Sequence, residues 1–135
     1  MDALLNTTPK SPGRQAGASL ILATDLHFKV RAQAGEINIL HGIDLAVGIG
    51  EAVGIVGPSG SGKTSLLMLL AGLDRPTGGT LTVAGQDLTR MDEDALAVFR
   101  RETVGIVFQA FHLVPTMTAN ENVAVPLEFA GGADA

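Results

Sequence analysis

Eight consecutive residues constrain this sequence most tightly: Gly57-Pro58-Ser59-Gly60-Ser61-Gly62-Lys63-Thr64, which follow the pattern G-x-x-x-x-G-K-[ST]. Glycines let successive backbone N–H groups converge on phosphate oxygens, and a helix that follows directs its positive dipole end at the same anion. Lys63 supplies a positive charge for the terminal phosphates, and the Thr64 hydroxyl is placed to ligate Mg²⁺. An apolar run before the loop and a leucine-rich run after it fit a strand–loop–helix setting. The pattern therefore predicts a P-loop that binds a nucleoside triphosphate.

The flanking segments predict an α/β fold, a P-loop core joined to an antiparallel β subdomain. Residues 20–31 and 39–47 read as extended segments with one apolar face, which is typical of antiparallel strands. Short apolar runs at 52–56 and 104–108 predict strands that are buried on both faces. Helices are predicted at 63–71, at 92–101 and, from the capping-box spacing of Thr118 and Glu121, after residue 118.

Composition limits the domain organisation and the classes of partner. The 135 residues are enough for one domain, with residues 1–19, rich in proline, glycine and small polar residues, as a disordered leader and residues 20–135 as the domain. A net charge of −5 argues against general nucleic-acid binding, so no nucleic-acid partner is expected. The absence of cysteine excludes a disulfide framework and a thiolate metal site.

A P-loop by itself does not choose among enzyme classes. A nucleotide kinase of the guanylate-kinase type can carry nearly the same glycine-rich stretch. Such a kinase usually begins with the strand that leads into the P-loop, whereas here about fifty residues, predicted to contain antiparallel strands, precede that strand. Gln109 also lies at the end of an apolar run that follows a predicted helix, and this favours a class of P-loop protein other than the nucleotide kinases.

The sequence resembles the ATP-binding subunit of an ABC transporter from about Leu20 to Gly131. The resemblance is carried by Leu40-His41-Gly42-Ile43-Asp44-Leu45, Gly50-Glu51, the P-loop, Ala71-Gly72-Leu73-Asp74 and Gly105-Ile106-Val107-Phe108-Gln109. The stretch from Gln109 to Thr118, followed by Glu121-Asn122-Val123, is most similar to the lipoprotein-releasing and macrolide-export branch.

This resemblance implies roles for individual residues. Thr64 and Gln109 would share the Mg²⁺ ion that accompanies ATP, and Val30 would pack on adenine where many members have an aromatic ring. Residues 111–118 would contact a transmembrane permease subunit. The implied nucleotide-binding set is Gly57, Ser59, Gly60, Ser61, Gly62, Lys63, Thr64, Ser65, Gln109 and Val30.

The sequence also departs from the family pattern. No Leu-Ser-Gly-Gly-Gln signature and no apolar strand ending in Asp-Glu follow Gln109 before Ala135. The resemblance therefore identifies the N-terminal portion of such a subunit, an ATPase by family, and no catalytic residue is assigned within these 135 residues. The implied setting is the cytoplasmic face of the inner membrane, with a second ATP-binding subunit as a partner in the full domain. A truncated, non-hydrolysing nucleotide-binding module is the alternative.

Overall fold

The structure, a computed structural model, describes residues 19–110, 112–129 and 131. Strands β1 (Ser19–Ala32), β2 (Gly35–Gly48), β3 (Gly78–Val83) and β4 (Gln86–Asp87) form one antiparallel sheet in the order β2-β1-β3-β4. The helices are α1 (Lys63–Leu70), α2 (Glu93–Thr103) and α3 (Ala119–Phe129), with a 3₁₀ turn at Leu88–Arg90. The predicted leader lies outside the described residues, apart from Ser19, which begins β1.

The β1–β2 hairpin confirms the predicted antiparallel region. Its turn lies at residues 33–34, and Gly35 adopts a φ of 121° where β2 begins. Along β2 the side chains alternate as expected, since Ile43, Leu45 and Val47 are buried or half-buried while Asp44 is exposed. The apolar face of the hairpin is therefore the face that packs on the helices.

One hydrophobic core joins the sheet to α1 and α2. Leu66 and Leu69 from α1 are almost fully buried, as are Leu96 and Phe99 from α2. Burying each side chain of this size contributes about 1.5–3 kcal/mol, so these contacts fix how the helices lie on the sheet. The strand residues in the same cluster are Ala23, Leu26, Phe28, Leu40, Leu81 and Val83.

The end of α1 is tied to α2. Gly72 ends the helix with a φ of 72°, and the Leu73 N–H donates to the Met68 carbonyl over 2.9 Å. A methyl group on Gly72 would lie 3.1 Å from Phe99 Cδ1, so glycine also permits close approach of α2. The Arg100 guanidinium donates to the Gly72 carbonyl over 2.7 Å and thereby closes the contact with a hydrogen bond.

Helix α3 begins with the predicted capping box. The Thr118 N–H donates to Glu121 Oε2 over 2.7 Å, and the Glu121 N–H donates back to Thr118 Oγ1 over 3.2 Å. Pro126 lies inside the helix, which continues to Phe129. None of the described residues of α3 is buried, so this helix adds an apolar surface and not a core.

Two predicted strands are absent from the described residues. Residues 51–58 and 104–108 have no regular secondary structure, and most of their side chains are exposed, including Val56 at 70% and Val107 at 100%. The prediction of buried strands at 52–56 and 104–108 is therefore wrong for this chain. A strand forms only where a neighbouring strand pairs with its backbone N–H and carbonyl groups, and the four-stranded sheet pairs neither segment.

Candidate phosphate-binding site

The P-loop residues form a turn that leads directly into α1. The Ser61 N–H donates to the Pro58 carbonyl over 3.2 Å, and the Leu66 N–H donates to the Gly62 carbonyl over 2.9 Å. Gly62 precedes the helix in the left-handed conformation, with a φ of 91°, and no side chain caps the helix N-terminus. The first turn of α1 also has no acidic residue. Its N–H groups and its positive dipole end are therefore available to an anion.

The loop is seated on β2 at Gly62. A methyl group on Gly62 would lie 3.1 Å from Leu40 Cδ2 and 3.2 Å from the Ile39 carbonyl oxygen. Leu40 is buried in the core that also contains Leu66 from α1. The hairpin and the first helix therefore hold the loop from two sides, which fixes where its backbone N–H groups point.

Lys63 spans the loop that it follows. Its Nζ atom donates to the Gly57 carbonyl over 2.8 Å, to the Pro58 carbonyl over 2.6 Å and to Ser61 Oγ over 3.2 Å. A methyl group on Gly57 would lie 2.9 Å from that same Ser61 Oγ, so a side chain at this position would displace the Ser61 hydroxyl from its contact with Lys63. The ammonium group is thereby held against the carbonyl groups of the turn, next to the N-terminus of α1.

The hydroxyl groups that follow the lysine suit phosphate and magnesium. Thr64 is exposed and Ser65 is half-buried, and within the described part of the chain neither side chain makes a hydrogen bond. Neutral hydroxyl oxygens are acceptable Mg²⁺ ligands when phosphate oxygens and water complete the octahedron. The donor set therefore fits a magnesium–nucleotide complex, although no group of three His, Asp or Glu residues among the described residues could hold a metal alone.

Gln109 and Val30 lie on separate elements. Gln109 is exposed in a bend after residues 104–108, and its side chain makes no hydrogen bond to the loop or to any other described residue. Val30 is half-buried on β1, packs against the core and pairs across the hairpin with Ile37. The structure thus brings the P-loop residues together, and its described contacts do not join Gln109 to them.

The segment between Gln109 and α3 is held by side-chain hydrogen bonds of Asn122, which the sequence did not predict. The Asn122 side chain accepts from the Val114 N–H over 2.8 Å and donates to the carbonyls of Val114, Met117 and Thr118. These hydrogen bonds fix residues 114–118, so their exposed apolar side chains lie on an ordered loop. No sequence pattern marks Asn122, because its partners are backbone groups whose positions depend on the turn.

The expected roles of this segment can be placed only in part. Leu113 is 63% exposed and Val114 is 40% exposed, so both present apolar surface on the segment expected to contact a permease. Phe111, the first residue of the expected permease contact, lies outside the described residues. Hydrogen bonds from the Thr118 N–H and hydroxyl hold the pKa of the exposed Glu121 carboxyl below its ordinary value.

The glycine-rich turn lies at a helix N-terminus, is spanned by the Lys63 side chain and packs on an antiparallel hairpin. These features define a P-loop nucleotide-binding protein. The ABC transporter family matches residues 40–135, and the chain belongs to that family. The guanylate-kinase alternative is thereby set aside.

Within this family, the chain is similar to ATP-binding proteins of lipoprotein release and macrolide export. It is 54% identical over 94 residues to the lipoprotein-releasing system ATP-binding protein LolD of Anaeromyxobacter dehalogenans. The aligned region covers 70% of this chain and 39% of that protein. It is 50% identical over 96 residues to the macrolide export ATP-binding/permease protein MacB of Nitrosomonas europaea, which covers 71% and 15%. The predicted branch is confirmed.

Solved structures confirm the fold class. The dimeric bacterial ABC transporter cassette MJ0796 superposes with a TM-score of 0.76 at 37% identity, over 82% of this chain and 47% of that one. The same cassette in a post-hydrolysis state bound to ADP and Pi gives a TM-score of 0.77. The chain therefore spans less than half the length of the relatives it matches.

Proposed function

We propose that this chain is the phosphate-binding part of an ATP-binding subunit that powers export or lipoprotein release through a membrane permease. The observation that carries the proposal is the Lys63 ammonium, held over the glycine turn at the N-terminus of α1. When MgATP binds, Lys63 exchanges its loop carbonyls for phosphate oxygens, and the helix N-terminus adds its backbone N–H groups. The magnesium ion would neutralise phosphate charge, with Thr64 and Gln109 as its protein ligands.

Calorimetry with MgATP tests the contribution of Lys63 to phosphate binding. Charge-assisted hydrogen bonds contribute about 1.5–3 kcal/mol, so we expect Lys63→Ala to weaken binding by about ten- to a hundredfold. Lys29→Ala is the matched control, because Lys29 is exposed on β1 and its side chain makes no hydrogen bond to any described residue. Equal losses in the two variants would refute the role of Lys63.

The magnesium ligands are tested by titrating Mg²⁺ at constant ATP. Thr64→Val keeps the shape of the side chain and removes its oxygen, and Gln109→Leu does the same for the amide. Both variants should need more Mg²⁺ for half-maximal binding, while metal-free ATP binds as tightly as to the unchanged chain. A loss of metal-free binding would indicate a structural role instead.

Hydrolysis and assembly complete the proposal. The sequence contains neither the Asp-Glu pair nor the signature of the family, so we expect the chain alone to release no phosphate from ATP at a transporter-like rate. The related cassette is dimeric, and the relatives' names couple ATP binding to release or export, which supports a permease and a second ATP-binding subunit as partners. No helix among the described residues is long and apolar enough to span a bilayer. Binding to a permease would place the chain on the cytoplasmic face of the inner membrane. Sustained phosphate release by the purified chain would contradict this division of roles.

A further inference from the structure

Ser61 is the one polar or charged residue that is buried in the part of the chain the structure describes. It is 9% exposed, and its backbone N–H donates to the Pro58 carbonyl over 3.2 Å. On the other side, a methyl group on Gly57 would lie 2.9 Å from Ser61 Oγ, so the loop backbone packs closely on the hydroxyl. The turn itself therefore fixes where the Ser61 hydroxyl lies.

The loop supplies as many acceptors as the Lys63 ammonium group has protons. An ammonium group has three N–H donors and no acceptor. Lys63 Nζ donates to the carbonyls of Gly57 and Pro58 over 2.8 and 2.6 Å, respectively. Its third partner is Ser61 Oγ, at 3.2 Å. A phosphate oxygen can therefore take a proton of Lys63 only if one of these three acceptors gives it up.

The Ser61 hydroxyl differs from the two carbonyls in strength and in origin. Its hydrogen bond to Lys63 is the longest of the three, so it is the one that a charged phosphate oxygen replaces most readily. The carbonyls belong to the backbone and are present with any side chains in the loop. The hydroxyl belongs to a side chain, so Ser61 is the one acceptor of this set that a substitution can remove.

We propose that Ser61 is a positioning residue whose hydroxyl holds the Lys63 ammonium group on the loop and thereby restrains the binding of a triphosphate. The inference rests on the proposed function, in which Lys63 binds the terminal phosphates. The hydroxyl and a phosphate oxygen compete for the same proton, so removing the hydroxyl removes a competitor and the affinity for phosphates rises. A hydroxyl that only shaped the loop, or that itself bound phosphate, would have the opposite effect, because its loss would weaken binding.

The test measures the binding of MgATP and of magnesium tripolyphosphate to the full chain by calorimetry. Losing one hydrogen bond that competes with the ligand changes a dissociation constant by about two- to tenfold, so Ser61→Ala should bind both probes more tightly by that factor. Ser61→Cys keeps nearly the same shape with a weaker acceptor, so its affinity should lie between those of Ser61→Ala and the unchanged chain. Thr80→Val is the matched control for loss of a hydroxyl, because Thr80 is exposed on β3 and its side chain bonds to no described residue.

Combining Ser61→Ala with Lys63→Ala shows whether the effect passes through the ammonium group. Without that group the hydroxyl has no proton to compete for, so the gain should disappear in the Lys63→Ala background. Weaker or unchanged binding by Ser61→Ala, or the same gain with and without Lys63, would overturn the inference; if Lys63→Ala alone still weakens binding, the proposed function stands. If Lys63→Ala alone has no effect, both fail. Should Ser61→Ala not fold, as urea unfolding would show, Ser61→Cys carries the same comparison.

Discussion

Replacing Gly62 by alanine tests the packing that seats the phosphate loop on the hairpin. Two costs add at this position. A φ of 91° is a left-handed conformation that costs a residue with a Cβ about 1–2 kcal/mol. The new methyl group would also lie 3.1 Å from Leu40 Cδ2 and 3.2 Å from the Ile39 carbonyl oxygen, and overpacking of this kind costs about 1–3 kcal/mol. We therefore expect the free energy of unfolding to fall by about 2–5 kcal/mol.

Gly60→Ala separates the two costs. Gly60 also has a positive φ, 78°, but nothing lies within 4 Å of the added methyl group. This variant should lose only the conformational part, about 1–2 kcal/mol. Urea unfolding of the nucleotide-free chain, followed by circular dichroism, gives both values from the midpoints and slopes. Equal destabilisation of the two variants would refute the claim that Gly62 is packed against β2.

Three further predictions concern other parts of the chain. Arg100→Met should destabilise the fold by about 1–3 kcal/mol, because it leaves the Gly72 carbonyl without its charged donor. Arg101→Met, on the exposed face of α2, should change stability by less than about 0.5 kcal/mol. Thermal melting of the two variants compares their stabilities. Because the pKa of Glu121 is lowered in the folded chain, its capping contribution is present at pH values above the ordinary glutamate value and is lost as the pH falls through the lowered pKa. The protection of α3 amides, measured as their exchange rate relative to that of an unstructured peptide at the same pH, should fall over that range, and Glu121→Gln should remove this pH dependence of the protection. The exposed apolar residues at 104–108 and along α3, among them Val107 at 100%, should make the isolated chain melt at low temperature and aggregate, as light scattering during heating can record.

Each of these has a clear contrary result. Equal melting points for the two arginine variants would show that the bond to Gly72 contributes nothing. Unchanged protection of the α3 amides between neutral pH and pH 3 would exclude the capping role of the carboxylate. A cooperative melt of the monomer at high temperature would show that the exposed apolar residues are no liability.

The sequence by itself determined the phosphate loop and the ends of the helices. Local chemistry is sufficient for these features, because glycine at a positive φ, an acidic first turn and a capping box each act within four residues along the chain. Asp92 accepts the Ala95 N–H over 2.8 Å, and α2 begins one residue later, close to where the sequence placed it. The family could be identified from the sequence for the same reason, since its motifs are short and contiguous.

Tertiary structure alone decided which apolar runs become strands. Residues 52–56 and 104–108 have the composition of buried strands, yet a strand exists only where neighbouring strands accept its hydrogen bonds. The ladder of β1 with β2 and β3 was available and those two runs found none, so they remain without regular structure. The same dependence explains Asn122, whose hydrogen bonds to residues 114–118 depend on a turn of the backbone that no local pattern encodes.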